Sequence, residues 1–356
     1  MRNLRLLLVN DPAAQGYIDC GLIEKFAKEY QVSIDYQIVD WENYMHAYDK
    51  IVNGTATYDI FMVAGHLWLP QLLQKNIIEP LTIDQSLFPS PIMNEIVHDG
   101  KTYLAPSFSD GHLLVYNKGL LEKYDITIEK SVLSLSDLKT FVQKLHNNGL
   151  AYPISMKSHP SEIVLDCLPY LRSQINQLFD EEGQLIVGSD LLDCALTSYK
   201  EMLNFVDPEN RHLDNEGINK ALRRGDKAFA ITWNGQLGNL FRHGDIKEDE
   251  FGYALIEGSW NVIWSLAIAK SSTLKSEAQD FIHFLMTAKH LEDIGDYSGS
   301  PMLKKEKLHF SNHLWYEEHY QLLEIAQPLP SHVNTGKSLE DLYQFISKRV
   351  YVEECE

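Results

Sequence analysis

Hydrophobic residues in the first sixty positions follow two periods. Leu4–Val9 is a nearly continuous apolar run, which is typical of a strand buried on both faces of a parallel sheet. Val32–Val39 and Asp59–Val63 predict two further strands, and Asn10–Tyr17 predicts a loop. Apolar residues recur at helical spacing between the strands. They are Ile18, Leu22, Ile23, Phe26, Ala27 and Tyr30, then Trp41, Tyr44, Met45, Tyr48, Ile51 and Val52. This alternation predicts the opening of a doubly wound α/β lobe.

The chain beyond residue 121 shows a comparable alternation of helical and strand patterns. The predicted helices cover residues 136–147, 160–179, 189–206, 218–224 and 339–350. Lys227–Trp233 and Gly252–Ile256 predict strands, and Val262–Ala269 predicts a buried strand that returns to the first lobe. We therefore expect a second α/β lobe.

A polar segment separates two short apolar runs near the middle of the first half. Thr102–Ala105 and His112–Tyr116 are the two predicted strands. The polar residues Ser107–Gly111 lie between them. Such a connection is not typical of a tight hairpin. It either crosses between two lobes or forms an ordinary surface loop, and the spacing leaves both open. Further crossings are predicted near Glu257–Asn261 and Gly299–Pro301.

Length and charge narrow the class of protein. A chain of 356 residues exceeds what one hydrophobic core usually serves, so two lobes are expected. Its net charge is −19, from 31 Lys and Arg against 50 Asp and Glu, which argues against binding to nucleic acid or anionic lipid. A neutral or cationic small ligand fits this charge better than an anion. The four cysteines form no Cys-x-x-Cys pair, and no cofactor is expected.

The N-terminal residues Met1–Val9 resemble a signal peptide only superficially. Arg5 interrupts the apolar stretch and no small-residue cleavage site follows, so we interpret the segment as the first strand. Either an export signal lies upstream and the protein is extracytoplasmic, at the cell surface or in the periplasm, or the protein stays in the cytoplasm.

Candidate ligand contacts cluster at predicted strand ends, where doubly wound lobes bind their ligands. Indole rings pack on the apolar faces of sugar rings, and short polar side chains pair with sugar hydroxyls. The candidates are Asn10, Asp11, Trp41, His66, Trp68, Ser109, Asp110, Trp233, Asn234, Trp260 and Tyr297. Trp41 also continues a helical core stripe, so core packing is the better interpretation for it although it stays among the candidates, and core packing is the better interpretation for Trp264 too. Asp59 precedes its strand and is interpreted as structural.

The stretch Val97–Leu121, with its pattern DGK-x-Y-x-x-P followed by YNK, resembles the first interdomain crossing of a known family. Tyr58–Phe61, Leu222–Phe229, Ser276–Leu285 and Gly299–Pro301 resemble that family in the same order. It is the family of maltose-binding-protein-like, sugar-binding solute-binding proteins of ABC importers. Together these short motifs span nearly the whole chain.

This resemblance implies a two-lobed periplasmic-binding-protein-like α/β fold, with a doubly wound, mainly parallel sheet in each lobe and several hinge crossings. The expected lobes are residues 1–109 plus 262–300 and residues 110–261 plus 301–356. A sugar or oligosaccharide would bind between them by hinge closure and pass to the membrane subunits of the importer, with the binding protein acting as a monomer. The family's ligand positions match Asp110 and His66, although the family more often has a carboxylate or amide at the latter.

Other functions compete with transport. An enzyme on the same scaffold would need two carboxylates for glycoside hydrolysis, with Asp11 and Asp110 as the pair, or would act as a transferase. An intracellular ligand-sensing module is a further alternative. His309 and His313 lie four residues apart, but no His-Glu-x-x-His motif accompanies them, so we predict no metal site. The sequence favours a binding protein that is not an enzyme.

Overall fold

The strands and helices follow the two periods of the sequence. The computed structural model describes residues 2–210, 212–242, 244–310 and 312–351. The strands are β1 Asn3–Val9, β2 Ser33–Val39, β3 Ile60–Ala64, β4 Ile78–Glu79, β5 Val97–His98, β6 Lys101–Thr102, β7 Ala105–Asn117, β8 Val132–Leu133, β9 Ile154–Met156, β10 Phe229–Trp233, β11 Phe251–Ile256 and β12 Asn261–Ala269.

The helices pack around these strands. They are α1 Pro12–Asp19, α2 Leu22–Tyr30, α3 Trp41–Val52, α4 Gly65–Gln74, α5 Ser90–Ile96, α6 Lys118–Lys123, α7 Leu135–Asn147, α8 Ile163–Arg172, α9 Ser189–Leu203, α10 Asn215–Arg223, α11 Leu237–Phe241, α12 Lys275–Leu285, α13 Ala288–Ser298, α14 Tyr316–Ile325 and α15 Thr335–Val350. Within the described ranges, none of them combines the length and the apolar character needed to cross a membrane.

The chain divides into two compact units, each assembled from separate segments. The first unit comprises Met1–Asp110, Gly235–Gly238 and Val262–Asn312. The second comprises Gly111–Asn234, Asn239–Asn261 and His313–Glu356. The sequence had assigned residue 110 and residues 235–238 and 301–312 to the second lobe, whereas they fall in the first unit. The chain passes from one unit to the other within β7 and within β12.

The first unit has a sheet of parallel strands bordered by an antiparallel one. β1 pairs in parallel with β2 on one side and with β3 on the other. β12 pairs antiparallel with β3 and with β4. Leu4, Leu6, Leu7 and Leu8 of β1 are almost fully buried, as expected for a strand covered on both faces.

The second unit has a sheet in which β7 is the antiparallel member. β10 pairs in parallel with β9 and antiparallel with β7, and β11 pairs antiparallel with β7 and in parallel with β8. α8 packs against α9 and α15, with the rings of Tyr170 and Tyr199 5.2 Å apart between α8 and α9.

Three sequence predictions were wrong about local structure. β7 is one continuous strand of 13 residues, so Ser107–Gly111 is not a surface loop between two strands, although the chain does pass from one unit to the other inside it. Its polar side chains hid the strand pattern, because Ser107 and Ser109 are buried rather than solvated. The Ser107 hydroxyl is hydrogen-bonded to the Tyr17 hydroxyl, and the Ser109 backbone N–H donates to the Ser300 hydroxyl. Asn10–Tyr17 is not a loop either, because Asp11 caps α1 and Pro12 occupies its first turn. The helix predicted over residues 160–179 is limited to α8.

Asp59 is structural, as predicted from its position before β3. One carboxylate oxygen accepts a hydrogen bond from the backbone N–H of Arg5 at 2.8 Å, and the other accepts one from the Ser272 hydroxyl at 2.5 Å. Both oxygens of this buried carboxylate are therefore satisfied within the first unit.

Gly238 lies against the end of α13, and an alanine there should be destabilising. Its Cβ would lie 2.5 Å from the Ser298 carbonyl carbon and would also strike the backbone oxygen of Tyr297. Backbone atoms cannot rotate away, so we expect Gly238→Ala to lower the free energy of unfolding by about 1–3 kcal/mol. Thermal denaturation checks this. Gly336→Ala is the matched control, since nothing lies within 4 Å of its Cβ. Equal melting temperatures for the two variants would contradict the prediction.

Candidate functional site

The carboxyl ends of the parallel strands bring together several predicted residues of the first unit. β1 lies between β2 and β3, so Asp11, Trp41 and His66 follow three neighbouring strands at one edge of the sheet. β12 runs in the opposite direction and begins at this edge, where Trp264 pairs with Ala64. The rule that placed ligand sites at carboxyl ends therefore selects one contiguous region.

Asp11 is buried at the start of α1 with one oxygen unused. Its Oδ1 accepts a hydrogen bond from the Ala14 N–H at 2.7 Å. Its Oδ2 is buried and has no hydrogen-bond partner among the residues that the structure describes. Burial raises the pKa of Asp11 to about 7, and the backbone N–H groups of Ala14 and Ala13 oppose that shift. Buried polar atoms are nearly always paired, so this oxygen is available to a water, an ion or a ligand.

Two buried phenols lie close enough to Asp11 to interact with it. Burial raises the pKa of Tyr17 and of Tyr44, and the Asp11 carboxylate adds to both shifts. The Tyr17 hydroxyl lies 2.6 Å from the Ser107 hydroxyl, and the Tyr44 hydroxyl donates to the backbone oxygen of Met62. Sequence patterns had assigned Tyr44 only to a helical core stripe and had passed over Tyr17.

Trp41 and Trp68 form an aromatic group with Trp264. The planes of Trp41 and Trp68 differ by 9°, with ring centroids 6.0 Å apart. Each stands at 89° to Trp264, at a centroid distance of 5.6 Å. Tyr48 stacks on Trp68 at 4.2 Å. Trp264 is only 7% exposed, in agreement with the core interpretation, whereas Trp41 and Trp68 are partly exposed.

His66 lies in the first turn of α4 beside a carboxylate that the sequence did not indicate. Its Nδ1 is 3.0 Å from Glu95 Oε2, and the same oxygen accepts a hydrogen bond from the Ile263 N–H at 2.9 Å. Gly65 permits this approach, because a Cβ there would strike Glu95 and would lie 2.8 Å from the Ile263 oxygen. Glu95 belongs to α5, whose position gave no signal of a shared site.

Ser109 and Asp110 lie in β7 and contact two other segments of the first unit. The Ser109 N–H donates to the Ser300 hydroxyl at 2.9 Å, and that hydroxyl lies 3.0 Å from the Ser109 oxygen. Gly235 packs so closely that a Cβ would lie 2.7 Å from the Ser109 oxygen and 2.9 Å from Asp110 Oδ1. Ser109 is fully buried and Asp110 is half-buried.

The two remaining candidates of the first unit are Asn10, which lies at the surface, and Tyr297, which lies at a contact between two helices. Asn10 is exposed, and its backbone N–H donates to the backbone oxygen of Val39. The Tyr297 hydroxyl donates to the Asp19 carboxylate, and its ring packs against Gly16. Tyr297 thus joins α13 to α1.

The second unit has its own group of residues at the carboxyl ends of β9 and β10. Trp233 ends β10 and pairs with His112 of the antiparallel β7. The Trp233 N–H donates to Glu162 Oε2 at 3.0 Å, and the Lys157 ammonium lies 3.8 Å from the ring centroid. The rings of His112 and Trp260 lie 4.4 and 5.8 Å from that of Trp233. Trp233 is 3% exposed, so residues of its own unit already engage both its ring and its N–H.

Lys157 is the centre of a buried charge cluster that the sequence did not reveal. It is 3% exposed, forms an ion pair with Glu162, and lies 3.7 Å from Asp166 Oδ1. Burial raises the pKa of Asp166 to about 7, while Lys157 opposes the shift. Three strand residues, Ile154–Met156, precede Lys157. Recognising so short a strand would have pointed to Lys157 by the carboxyl-end rule.

His112 and Asn234 are buried and hold the start of the second unit's part of β7. The His112 Nδ1 accepts a hydrogen bond from the backbone N–H of Trp260 at 3.1 Å. Its Nε2 therefore carries the proton and donates to the backbone oxygen of Leu165 at 3.0 Å. Burial, with Lys157 and Arg172, lowers the pKa of His112 to about 3. The Asn234 Oδ1 accepts the Gly111 N–H at 2.7 Å, and its Nδ2 lies 2.8 Å from His319 Nδ1.

No group of three or more His, Cys, Asp or Glu side chains in the described part of the chain is arranged to hold a metal ion. His313 Nδ1 lies 2.6 Å from Glu248 Oε1, and its ring stacks on the fully buried Trp315. Cys167 and Cys194 are free thiols, the first buried and the second exposed. Cys355 lies outside the described residues.

The comparisons with known proteins agree with this fold. The family model described as bacterial extracellular solute-binding protein matches residues 14–291. A comparison with curated protein sequences gives no significant match. The chain belongs to the family of bacterial extracellular solute-binding proteins.

Solved structures with similar folds cover nearly the whole chain. The maltose-bound MalE3 of T. maritima has a TM-score of 0.78 and 18% identity, over 98% of this chain and 99% of that one. A solute-binding protein of Agrobacterium vitis S4 with bound D-mannitol has a TM-score of 0.81 and 17% identity, over 99% and 95%. A solute-binding protein of Thermotoga lettingae TMO with bound α-D-tagatose has a TM-score of 0.81 and 16% identity, over 99% and 95%. These similarities confirm the predicted two-lobed α/β fold of this family.

The titration of Asp11 should make stability depend on pH. Its pKa is raised from 3.8 to about 7, so the folded protein keeps a proton that the unfolded chain loses. The free energy of unfolding should therefore fall as pH rises from about 4 to about 7, by up to about 4 kcal/mol. Asp11→Asn keeps the helix cap and removes this titration, so its stability should fall less over that interval.

Urea denaturation at pH 5 and pH 8 measures this difference. Asp35→Asn replaces an exposed carboxylate of β2 and serves as the control, because its pH dependence should match that of the wild type. A pH dependence of Asp11→Asn equal to that of the wild type would show that Asp11 titrates normally.

Lys157→Met should be strongly destabilising, because it leaves Glu162 and Asp166 without their buried cation. Breaking a buried pair by removing one partner costs about 3–5 kcal/mol. Lys289→Met is the matched control, since the side chain of Lys289 is 71% exposed in its pair with Asp293 and should contribute about 0.5 kcal/mol or less. Chemical denaturation measures both, and a small loss for Lys157→Met would exclude an important role for the cluster.

Proposed function

We propose that this protein binds a sugar or another polyhydroxylated solute outside the cytoplasmic membrane and delivers it to the membrane subunits of an ABC importer. Its family supports an extracellular binding protein. Proteins of similar fold carry maltose, D-mannitol and α-D-tagatose. Binding without turnover, action as a monomer and extracytoplasmic location belong to the proposal.

The observation that carries this proposal is the partly exposed pair Trp41 and Trp68 at the strand ends of the first unit. Their parallel planes are held in place by the perpendicular ring of Trp264. Fixed indole faces suit the apolar faces of sugar rings, and they are largely pre-organised before the ligand arrives. Asp11 and His66 follow neighbouring strands and supply acceptors and donors for hydroxyl groups.

The second unit supports the proposal less directly, because its aromatic residues are enclosed. Trp233 and Trp260 are 3% and 2% exposed, and Asn234 is fully buried. We propose that Trp233, Trp260 and Asn234 position the strand ends. Glu162 is partly exposed, and we propose that it contacts the solute. Asp110 and Tyr297 remain proposed ligand contacts of the first unit.

A panel of neutral sugars and polyols tests the proposed function. Ligands that bind only the folded protein raise its melting temperature according to their concentration and affinity. We expect one or more members of a panel including maltose, D-mannitol and D-tagatose to do so, with calorimetry confirming a single site. The ligand should be recovered chemically unchanged after prolonged incubation.

Trp68→Ala should weaken binding of that ligand about tenfold, because it removes one indole face. Tyr36→Ala removes an aromatic ring of β2 that is 42% exposed and is the control, with unchanged affinity expected. An unchanged affinity of Trp68→Ala for a ligand that does bind would exclude the aromatic group as the site. Conversion of the ligand would establish an enzyme instead of a carrier.

A further inference from the structure

Asp11 differs from the other buried aspartates in what its carboxylate contacts. Asp59 uses both oxygens in hydrogen bonds. Asp166, like Asp11, has a buried Oδ2 with no hydrogen-bond partner among the described residues, but the Lys157 ammonium lies 3.7 Å from its Oδ1. Asp11 uses Oδ1 alone, and no ion pair to it is present in the described part of the chain. It is 8% exposed. A buried carboxylate of this kind is short of one partner, and a cation would satisfy it best.

The surroundings of Asp11 also favour a cation. Tyr17 and Tyr44 both interact with it electrostatically, and both are neutral phenols. Tyr44 in turn packs near Trp68 and Trp264, with centroid distances of 6.1 and 6.5 Å. Aromatic faces carry negative potential and attract ammonium groups. The net charge of −19 acts in the same direction over longer distances.

We propose that the solute of this protein carries a protonated amine, as in an amino sugar, and that Asp11 Oδ2 binds that amine. The inference rests on the proposed function and narrows its substrate class. Binding would exchange a proton for a cation: the carboxyl group releases its proton to solvent, and the resulting carboxylate accepts a hydrogen bond from the ammonium group. Burial raises the pKa of Asp11 to about 7, so the carboxyl group is largely protonated at pH 6 before the ligand binds. This supports the exchange.

Matched sets of sugars test the inference. Each set contains a hexose, its 2-amino-2-deoxy form and the N-acetyl derivative of that amine, in the gluco and galacto series and as the corresponding disaccharides. Calorimetry at pH 6 in two buffers of different ionisation enthalpy gives both the affinity and the number of protons released. We expect one amino sugar to bind about ten- to hundredfold more tightly than its two neutral counterparts. Its binding should release close to one proton, and theirs none.

Asp11→Asn retains an N-cap side chain and removes the charge. It should abolish both the preference for the amine and the proton release, while Asp35→Asn should change neither. If Asp11→Asn does not fold, the proton release of the wild type decides the question by itself.

Three results would overturn the inference. Neutral sugars binding as tightly as the amines would leave the proposed function intact and exclude an amine ligand. An amine preference that survives in Asp11→Asn would assign the amine to another residue. Binding of none of the sugars in these sets or in the neutral panel would overturn the proposed function together with the inference.

Discussion

Charge buried at the end of a sheet has to be compensated, and this constraint shapes both units. In the second unit the Lys157 ammonium is enclosed at the end of β9, where Glu162, Asp166 and the face of Trp233 surround it. The cost of removing an ammonium group from water is several kcal/mol, so these partners are a condition for the local fold. His112 fits the same requirement, because burial first and then the nearby Lys157 lower its pKa and keep its imidazole neutral. In the first unit the corresponding strand end carries Asp11, whose Oδ2 is buried and has no hydrogen-bond partner among the described residues.

Much of the architecture could be predicted because its signals are local. The helical stripe of α3 and the apolar run of β1 depend on periodicity alone, and both elements formed as expected. β7 escaped prediction because its polar residues are paired with distant partners, as Ser109 is with Ser300. Local propensity depends only on neighbouring residues, which here are polar. It cannot include a hydrogen bond to a residue 191 positions away.

The candidate site could be predicted in part, for a similar reason. Strand ends are visible in the sequence, and they led to Asp11, Trp41, His66 and Trp68, which the structure places at one edge of the first unit. Glu95 was missed because it reaches His66 from a short helix with no motif of its own. Trp233 was placed correctly at the end of a strand, but its enclosure depends on Lys157 and Glu162. Lys157 follows β9, a strand too short to recognise, and Glu162 directly precedes α8. Position in a strand is local, whereas exposure depends on what the rest of the chain brings to that position.

The geometry of Trp41, Trp68 and Trp264 has a consequence for spectroscopy. Their centroids lie within 6.0 Å of one another, with two parallel rings and one perpendicular to both. Indoles this close share excitation, so the three chromophores should contribute jointly to the near-ultraviolet circular dichroism of the folded chain. That signal provides an intrinsic optical reporter for the strand ends of the first unit, with no need for an attached dye.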